Sequence, residues 1–152
     1  MAIKAKEYLK EIRKIDKIKE KRNEEIKQAE LLWNEKATNI TSSWGGDKVQ
    51  SSGDPQKMET AICNKDYYLT LVNERIKELT DKRERIIRDL EKLNSNEYEL
   101  LYDCYVFGKS LKEIAIERAC EYSGIVTLHG NALKSLQNIL DKREKDNESI
   151  NK

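Results

Sequence analysis

The stretch "GKSLKEIAIERACEYSGIVTLHGNALKSL", residues 108–136, decides the fold of the C-terminal half of this chain. Apolar residues recur every three or four positions on both sides of a polar break at "ACEYS", which predicts two helices joined by a tight turn. Ser110 and Glu113 have the spacing of a capping box and mark the start of the first helix, expected at about 110–118. The second helix is expected to run to about residue 142.

This second helix has one apolar side and one polar side. The apolar side carries Ile125, Leu128, Ala132, Leu136 and Ile139. The opposite side, at 100° per residue, collects Ser123, Thr127, Asn131, Lys134 and Asn138. Such hydrogen-bonding side chains can meet base edges or phosphates in a major groove. An ordinary solvated face has the same composition, so the spacing alone leaves both interpretations open.

A shorter helix precedes this pair, in "EYELLYDCYVFGKS". Gly108 stands where a helix C-terminal cap needs a residue free to adopt positive φ. A supporting helix, a short helix, a tight turn and a longer helix together form the helix-turn-helix pattern. The apolar residues of the supporting helix are Leu100, Leu101, Cys104, Tyr105 and Phe107.

The N-terminal half predicts two long amphipathic helices. The first covers 4–36, with a stripe of Tyr8, Ile12, Ile15, Ile26, Ala29 and Trp33 that Ile18 partly continues. The second begins with Asp54 as N-cap and Pro55 as first helical residue, and ends at "NSN". Its stripe is Met58, Ile62, Leu69, Val72, Ile76, Leu79, Ile86, Leu90 and Leu93. Neither helix can bury a narrow stripe alone, so they pack on each other, on a second copy of the chain, or on both.

The predicted fold is therefore all-α: a long antiparallel helical hairpin, coiled-coil-like, followed by a small helix-turn-helix domain. The hairpin occupies 1–93, the helix-turn-helix domain 94–143, and a disordered tail 144–152. The loop at 38–55, rich in Ser, Gly and Thr, is either a flexible tip or a loop that folds against a partner.

Charge argues against a protein that coats nucleic acid through bulk attraction. Lys and Arg total 29 against 28 Asp and Glu, and the segment from 95 to 152 has eight Lys/Arg against ten Asp/Glu. Phosphate neutralisation supplies most non-specific DNA affinity, so a lone C-terminal module should hold DNA weakly. Dimerisation through the hairpin would raise the effective affinity for DNA, because a dimer has two helix-turn-helix domains.

Nothing in the sequence points to catalysis, a cofactor or a metal. It has no phosphate-cradling glycine loop and no nucleophile with a nearby base. Cys63, Cys104 and Cys120 lack metal-ligand spacing and are predicted to be small buried hydrophobes, while His129 is predicted to be packed and hydrogen-bonded. No run of 18 apolar residues exists, so we expect a soluble protein of the bacterial host cytoplasm without a membrane partner.

Three stretches resemble a family of small phage-encoded proteins, often of unassigned function. They are "YLKEIRKID", "DKVQSSGDPQKM" at 47–58, and "GKSLKEIA" followed after twelve residues by "LHGNALKSL". The C-terminal half is also similar to the fourth conserved region of bacterial sigma factors and to phage late-gene transcription regulators of the ArpU and RinA type. The resemblance implies a DNA-binding helix-turn-helix used in transcription, with host RNA polymerase as a further candidate partner.

The chain departs from the sigma pattern at several positions. That pattern has a large apolar residue at Arg118, a turn glycine at Ala119 and a small N-cap at Glu121. Gly124 and Gly130 lie inside or near the start of the last helix and cost up to about 1 kcal/mol each relative to Ala, so a later start capped by Ser123 is an alternative. Arginines that would contact DNA align with Gly124, Val126 and Asn131.

Two functions follow as expectations. The first is a phage-derived transcriptional regulator that binds double-stranded DNA and forms a homodimer or binds a partner through its N-terminal helices. The second is a protein-interaction module that docks on RNA polymerase or another phage protein without reading DNA. For the first, the expected DNA contacts are Ser123, Thr127, Asn131 and Lys134, with Lys109, Ser110 and Lys112 near phosphates.

Overall fold

The structure is a computed structural model that describes residues 4–42 and 55–150, with side chains for 4–36, 38 and 63–150. The described residues form five helices and no strand, which confirms the predicted all-α class. The helices are α1 (Ala5–Ser42), α2 (Pro55–Leu90), α3 (Ser95–Tyr105), α4 (Leu111–Glu117) and α5 (Tyr122–Ile150).

The chain divides into two compact units. The first combines Met1–Asp16 with Thr80–Lys152, and the second is Lys17–Leu79. Each unit thus contains a segment of α1 and a segment of α2, and the first also contains α3, α4 and α5.

In the first unit, α3, α4 and α5 pack on one another around a shared apolar core. Ile114 and Leu100 are fully buried, and the apolar periodicity that predicted the three helices accounts for the residues they bury. The centre of this core is Leu100, Ile114, Ala115 and Ile125, with Cys104, Leu111 and Leu128 packed against it.

A buried carboxylate joins α1, α2 and α5 in the same unit. Asp89 on α2 is only 3% exposed. It accepts hydrogen bonds from the Tyr8 hydroxyl at 2.7 Å and from the Lys92 ammonium at 3.0 Å, and a further one from the Arg143 guanidinium. The Arg143 guanidinium also lies over the Tyr8 ring, 5.6 Å from its centroid. Burying a charge is favourable only with such partners, and this group has three.

In the second unit, an aromatic contact joins α1 and α2. The Trp33 ring meets the Tyr68 ring edge to face with centroids 6.1 Å apart, and the Lys65 ammonium lies 5.8 Å from the Trp33 ring centroid. Val72 and Leu79 are the buried apolar residues among the described side chains of this unit. Both belong to the stripe predicted for α2.

Most local signals at the helix ends behave as the sequence indicated. The Ser110 hydroxyl accepts from the Glu113 amide, and the Glu113 carboxylate accepts from the Ser110 amide, so the predicted capping box is confirmed. Gly108 has φ +74°, the left-handed conformation expected of it, but its predicted place as the C-cap of α3 is wrong, because α3 ends at Tyr105 and its C-cap is Val106. A Cβ there would also approach the Arg13 guanidinium to 2.9 Å. Pro55 begins α2 as expected, while Asp54 lies outside the described residues.

Two predicted irregular segments are helical instead. The first five residues of the predicted loop at 38–55 belong to α1, because 37–42 contains neither Gly nor Pro and Thr38 satisfies its hydroxyl by donating to the Asn34 carbonyl. Similarly, α5 continues to Ile150, so most of the predicted disordered tail at 144–152 is helix. An established helix extends at little cost through residues that lack an apolar stripe. The rest of the predicted loop lies outside the described residues.

The prediction that all three cysteines are buried is wrong for two of them. Cys63 lies on the exposed side of α2, and Cys120 is exposed in the turn before α5. Cys104 is half-buried against the core of α3, α4 and α5, and burial raises the pKa of its thiol to about 11. Among the described residues, no helix is long and apolar enough to cross a bilayer.

Candidate nucleic-acid interface

The polar side of α5 predicted to contact DNA is exposed along its whole length. The exposed side chains are Ser123, Thr127, Asn131, Lys134 and Asn138. Asn131 and Lys134 have no hydrogen bond or ion pair to the described part of the chain, so their polar groups are free to bind a ligand. The Thr127 hydroxyl donates to the Ser123 carbonyl at 3.0 Å and keeps its lone pairs available as acceptors.

The turn between α4 and α5 fixes how this side is presented. Ala119 has φ +50°, the left-handed conformation that glycine adopts most easily, at the position where the sigma pattern has glycine. The Cys120 amide donates to the Ala115 carbonyl at 2.9 Å and closes the end of α4. Since α5 begins at Tyr122, Ser123 is inside the helix, and a later start capped by Ser123 is wrong.

The three residues expected near phosphates differ in availability. Lys109 is already paired: its ammonium donates to the Glu117 carboxylate at 2.7 Å, and this hydrogen bond raises the pKa of Lys109. Ser110 is exposed, but its hydroxyl accepts the capping bond, and the same box lowers the pKa of Glu113. Lys112 is exposed and has no ion pair within the described residues.

Arg118, the residue after α4, is neutralised by acidic residues of α3. The Arg118 guanidinium donates to the Asp103 carboxylate at 3.1 Å and lies 3.9 Å from the Glu99 carboxylate. Arg118 therefore satisfies its charge against α3 at a position where the sigma pattern has an apolar residue. The carboxylate of Glu121 is exposed immediately before α5. Lys109 and Arg118 are thus both held by carboxylates of the chain itself.

His129 is packed and hydrogen-bonded, as predicted. Its ring stacks on Tyr105 with centroids 6.0 Å apart, and its Nε2 lies 3.3 Å from the Tyr105 hydroxyl. Burial, followed by the nearby charge of Lys6, lowers the pKa of His129. No group of three potential metal-ligating side chains occurs in the described ranges.

Two further sets of exposed residues in the first unit were missed in the sequence. Tyr122 and Val126, 49% and 41% exposed, lie beside the polar side of α5. The sequence did not predict that they are exposed, because apolar residues at the start of a helix are as often buried in a core as exposed. The second set is basic and lies on α1: Lys6, Lys10, Arg13 and Lys14. Helical periodicity could have predicted this set, because it places the four cations on the side of α1 opposite Ile12 and Ile15.

Comparisons of this chain with family models, with curated proteins and with solved structures gave no match.

Proposed function

We propose that the protein is a DNA-binding regulator in which α4 and α5 act as a helix-turn-helix and the polar side of α5 enters the major groove. The exposed row of hydrogen-bonding side chains from Ser123 to Asn138 carries this proposal. Asn offers a donor and an acceptor that match the edge of adenine, and Lys contacts guanine or phosphate. The resemblance to phage late transcription regulators points to the same role.

The core behind α5 supports this role, because a reading helix must be held rigidly. Ile125 at its start is buried with Ile114 of α4, and Leu136 further along is fully buried. The Ser135 hydroxyl also donates to the Glu97 carboxylate of α3 at 3.1 Å. These contacts leave the opposite side of α5 exposed, as the proposal requires.

The proposal includes dimerisation through the long helices, arranged as an antiparallel hairpin. The second unit exposes several large apolar side chains on a part of the chain with few buried ones. Large apolar side chains left exposed are candidates for an interaction surface, and a homodimer would bring two copies of α5 to two half-sites. These side chains are Ile18, Leu31, Leu32, Tyr67 and Leu71.

The test is a binding selection from a random duplex library with the full chain, followed by affinity measurements on the selected and a scrambled duplex. Changing Thr127 and Asn131 together to Ala should reduce the preference for the selected duplex at least about tenfold, because each good base contact discriminates by about 1–3 kcal/mol. A matched control changes Asn73 and Thr70, exposed on α2, to Ala. Unchanged preference in the α5 variant, or no enriched sequence, would refute base reading by this side.

A second candidate function is docking on a protein such as RNA polymerase. It is favoured by exposed apolar residues around α4: Ile116 is 80% exposed and Phe107 is 65% exposed, with Tyr122 and Val126 nearby in sequence. Apolar side chains in such numbers are characteristic of protein interfaces.

Pull-down of host RNA polymerase from nuclease-treated lysate separates the two functions. If docking is the function, the double variant Ile116→Asp/Phe107→Asp should no longer bind polymerase. If DNA binding is the function, the same variant should still bind duplex DNA. Polymerase capture by wild type that persists in this variant would exclude docking through these residues.

A further inference from the structure

The first turns of α1 carry a stripe of cations on the side away from the core. Ile12 and Ile15 are buried. On the opposite side of the helix, four basic residues cover an arc of about 100° around the helix axis and about 12 Å along it. We call this set the α1 basic stripe, and its members are Lys6, Lys10, Arg13 and Lys14, all exposed.

These four cations are unpaired within the described residues, in contrast to Lys109 and Arg118 at the two ends of α4. Of the two carboxylates in the same segment, Glu11 is already bound to Lys82, and Glu7 is exposed at the edge of the stripe. Asp16, one turn on, is bound by Arg83 at 2.8 Å. The stripe therefore keeps most of its positive charge for an external anion.

The stripe begins next to α5 within the first unit. The amide of Ala5, which precedes Lys6, donates to the Gln137 side chain at 2.8 Å. Gln137 lies about 60° around α5 from Lys134, on the near side of the proposed reading surface. At its other end, the Arg13 guanidinium lies against Gly108, beside the start of α4.

We propose that the α1 basic stripe binds the phosphate backbone of duplex DNA beside the groove that α5 enters, a role that rests on the proposed function. One strand carries a phosphate about every 3.4 Å along the axis, so the stripe spans about three phosphates. It supplies the positive charge that the acidic balance of 95–152 and the paired Lys109 and Arg118 do not. Phosphate contacts position a protein without reading sequence.

The experiment measures affinity for random-sequence duplex against salt, using full-length Lys6→Gln/Lys10→Gln/Lys14→Gln. Losing three phosphate contacts should weaken binding at least about tenfold near 0.1 M salt and reduce the salt slope by about 2–3. The charge-matched control is Lys27→Gln/Lys36→Gln/Lys77→Gln, whose residues are exposed and belong to the second unit. The charge-conserving variant Lys6→Arg/Lys10→Arg/Lys14→Arg should keep the wild-type slope.

Sequence preference separates this proposal from the proposed function. The stripe variant should keep the wild-type preference for the selected duplex, whereas the Thr127 and Asn131 variant should lose it. If the stripe variant and its control bind random duplex equally, the stripe is not a DNA contact, and base reading by α5 still stands. If wild type binds no duplex, both proposals fail. If the stripe variant loses binding only to phosphatidylserine vesicles, the stripe serves a membrane surface and this proposal is wrong.

Discussion

The Tyr8 hydroxyl donates a 2.7 Å hydrogen bond to the Asp89 carboxylate, across 81 positions of sequence. Because Arg143 of α5 binds the same carboxylate, one buried charge holds three helices of the first unit. We expect Asp89→Ala to lower the free energy of unfolding by about 2–4 kcal/mol, since its removal leaves Arg143 and Tyr8 without their acceptor. Urea denaturation followed by circular dichroism measures this loss.

Asp16→Ala is the matched control for that experiment. Its ion pair with Arg83 joins two of those three helices, α1 and α2, but the Asp16 side chain is 35% exposed. Exposed ion pairs contribute about 0–1 kcal/mol, so this variant should remain close to wild type. Equal losses in the two variants would contradict a special role for the buried carboxylate.

Ala119→Gly should stabilise the protein. Ala119 has φ +50°, where a Cβ is unfavourable by about 1–2 kcal/mol, and glycine's greater freedom in the unfolded chain offsets part of the gain. The expected net increase is about 0.5–1 kcal/mol in thermal or urea unfolding. Ala132→Gly, the same change at a buried helical position of α5, should destabilise by at least about 1 kcal/mol. A loss of stability in both variants would show that the turn does not require the left-handed conformation.

The sequence predicted well those features that depend on neighbours within four residues. The Ser110–Glu113 capping box, the positive φ of Gly108 and the buried stripes of α3, α4 and α5 are of this kind. The sequence did not predict the full burial of Leu9. The predicted stripe assumed that α1 packs on one other helix, whereas α1 also faces α5 and therefore buries a wider side. Ion pairs such as Lys109 with Glu117 depend on the loop path that brings them together, and residue spacing carries no signal for that.

The polar side of α5 was likewise predicted in part. Helical periodicity placed Ser123, Thr127, Asn131 and Lys134 on one side, and the structure leaves that side exposed. Whether it reads DNA stays a prediction, because an exposed polar side satisfies its hydrogen bonds with water as readily as with bases.

The three cysteines should react with iodoacetamide at different rates. Burial raises the pKa of Cys104 to about 11, so near pH 8 only about one thiol in a thousand is the reactive thiolate. Cys63 and Cys120 are exposed and should be modified first. Mass spectrometry of peptides after timed labelling measures the three rates, and labelling in urea provides the unfolded reference. Labelling of Cys104 as fast as Cys120 in the native protein would contradict its position in the core.

Stability should fall in mild acid through His129. Its pKa in the folded state is lowered from 6.5 by burial, followed by the nearby Lys6, so the unfolded chain binds the proton more readily. The contribution of neutral His129 is therefore complete above about pH 6.5 and is lost as the pH falls toward the lowered value. Urea midpoints at several pH values should decline more steeply for wild type than for His129→Gln. Parallel declines would indicate that other groups cause the acid sensitivity.

Glu117→Gln should strengthen duplex binding by releasing Lys109. In the folded chain the Lys109 ammonium is held by the Glu117 carboxylate at 2.7 Å and lies 4.0 Å from Asp103. Without Glu117 the ammonium can reach a phosphate, which should steepen the salt slope by up to about 0.9. Glu99→Gln removes the same charge from α3, where it lies 3.9 Å from Arg118, and serves as the control. If both variants gain affinity equally, the effect is one of net charge, and Lys109 is not a phosphate contact.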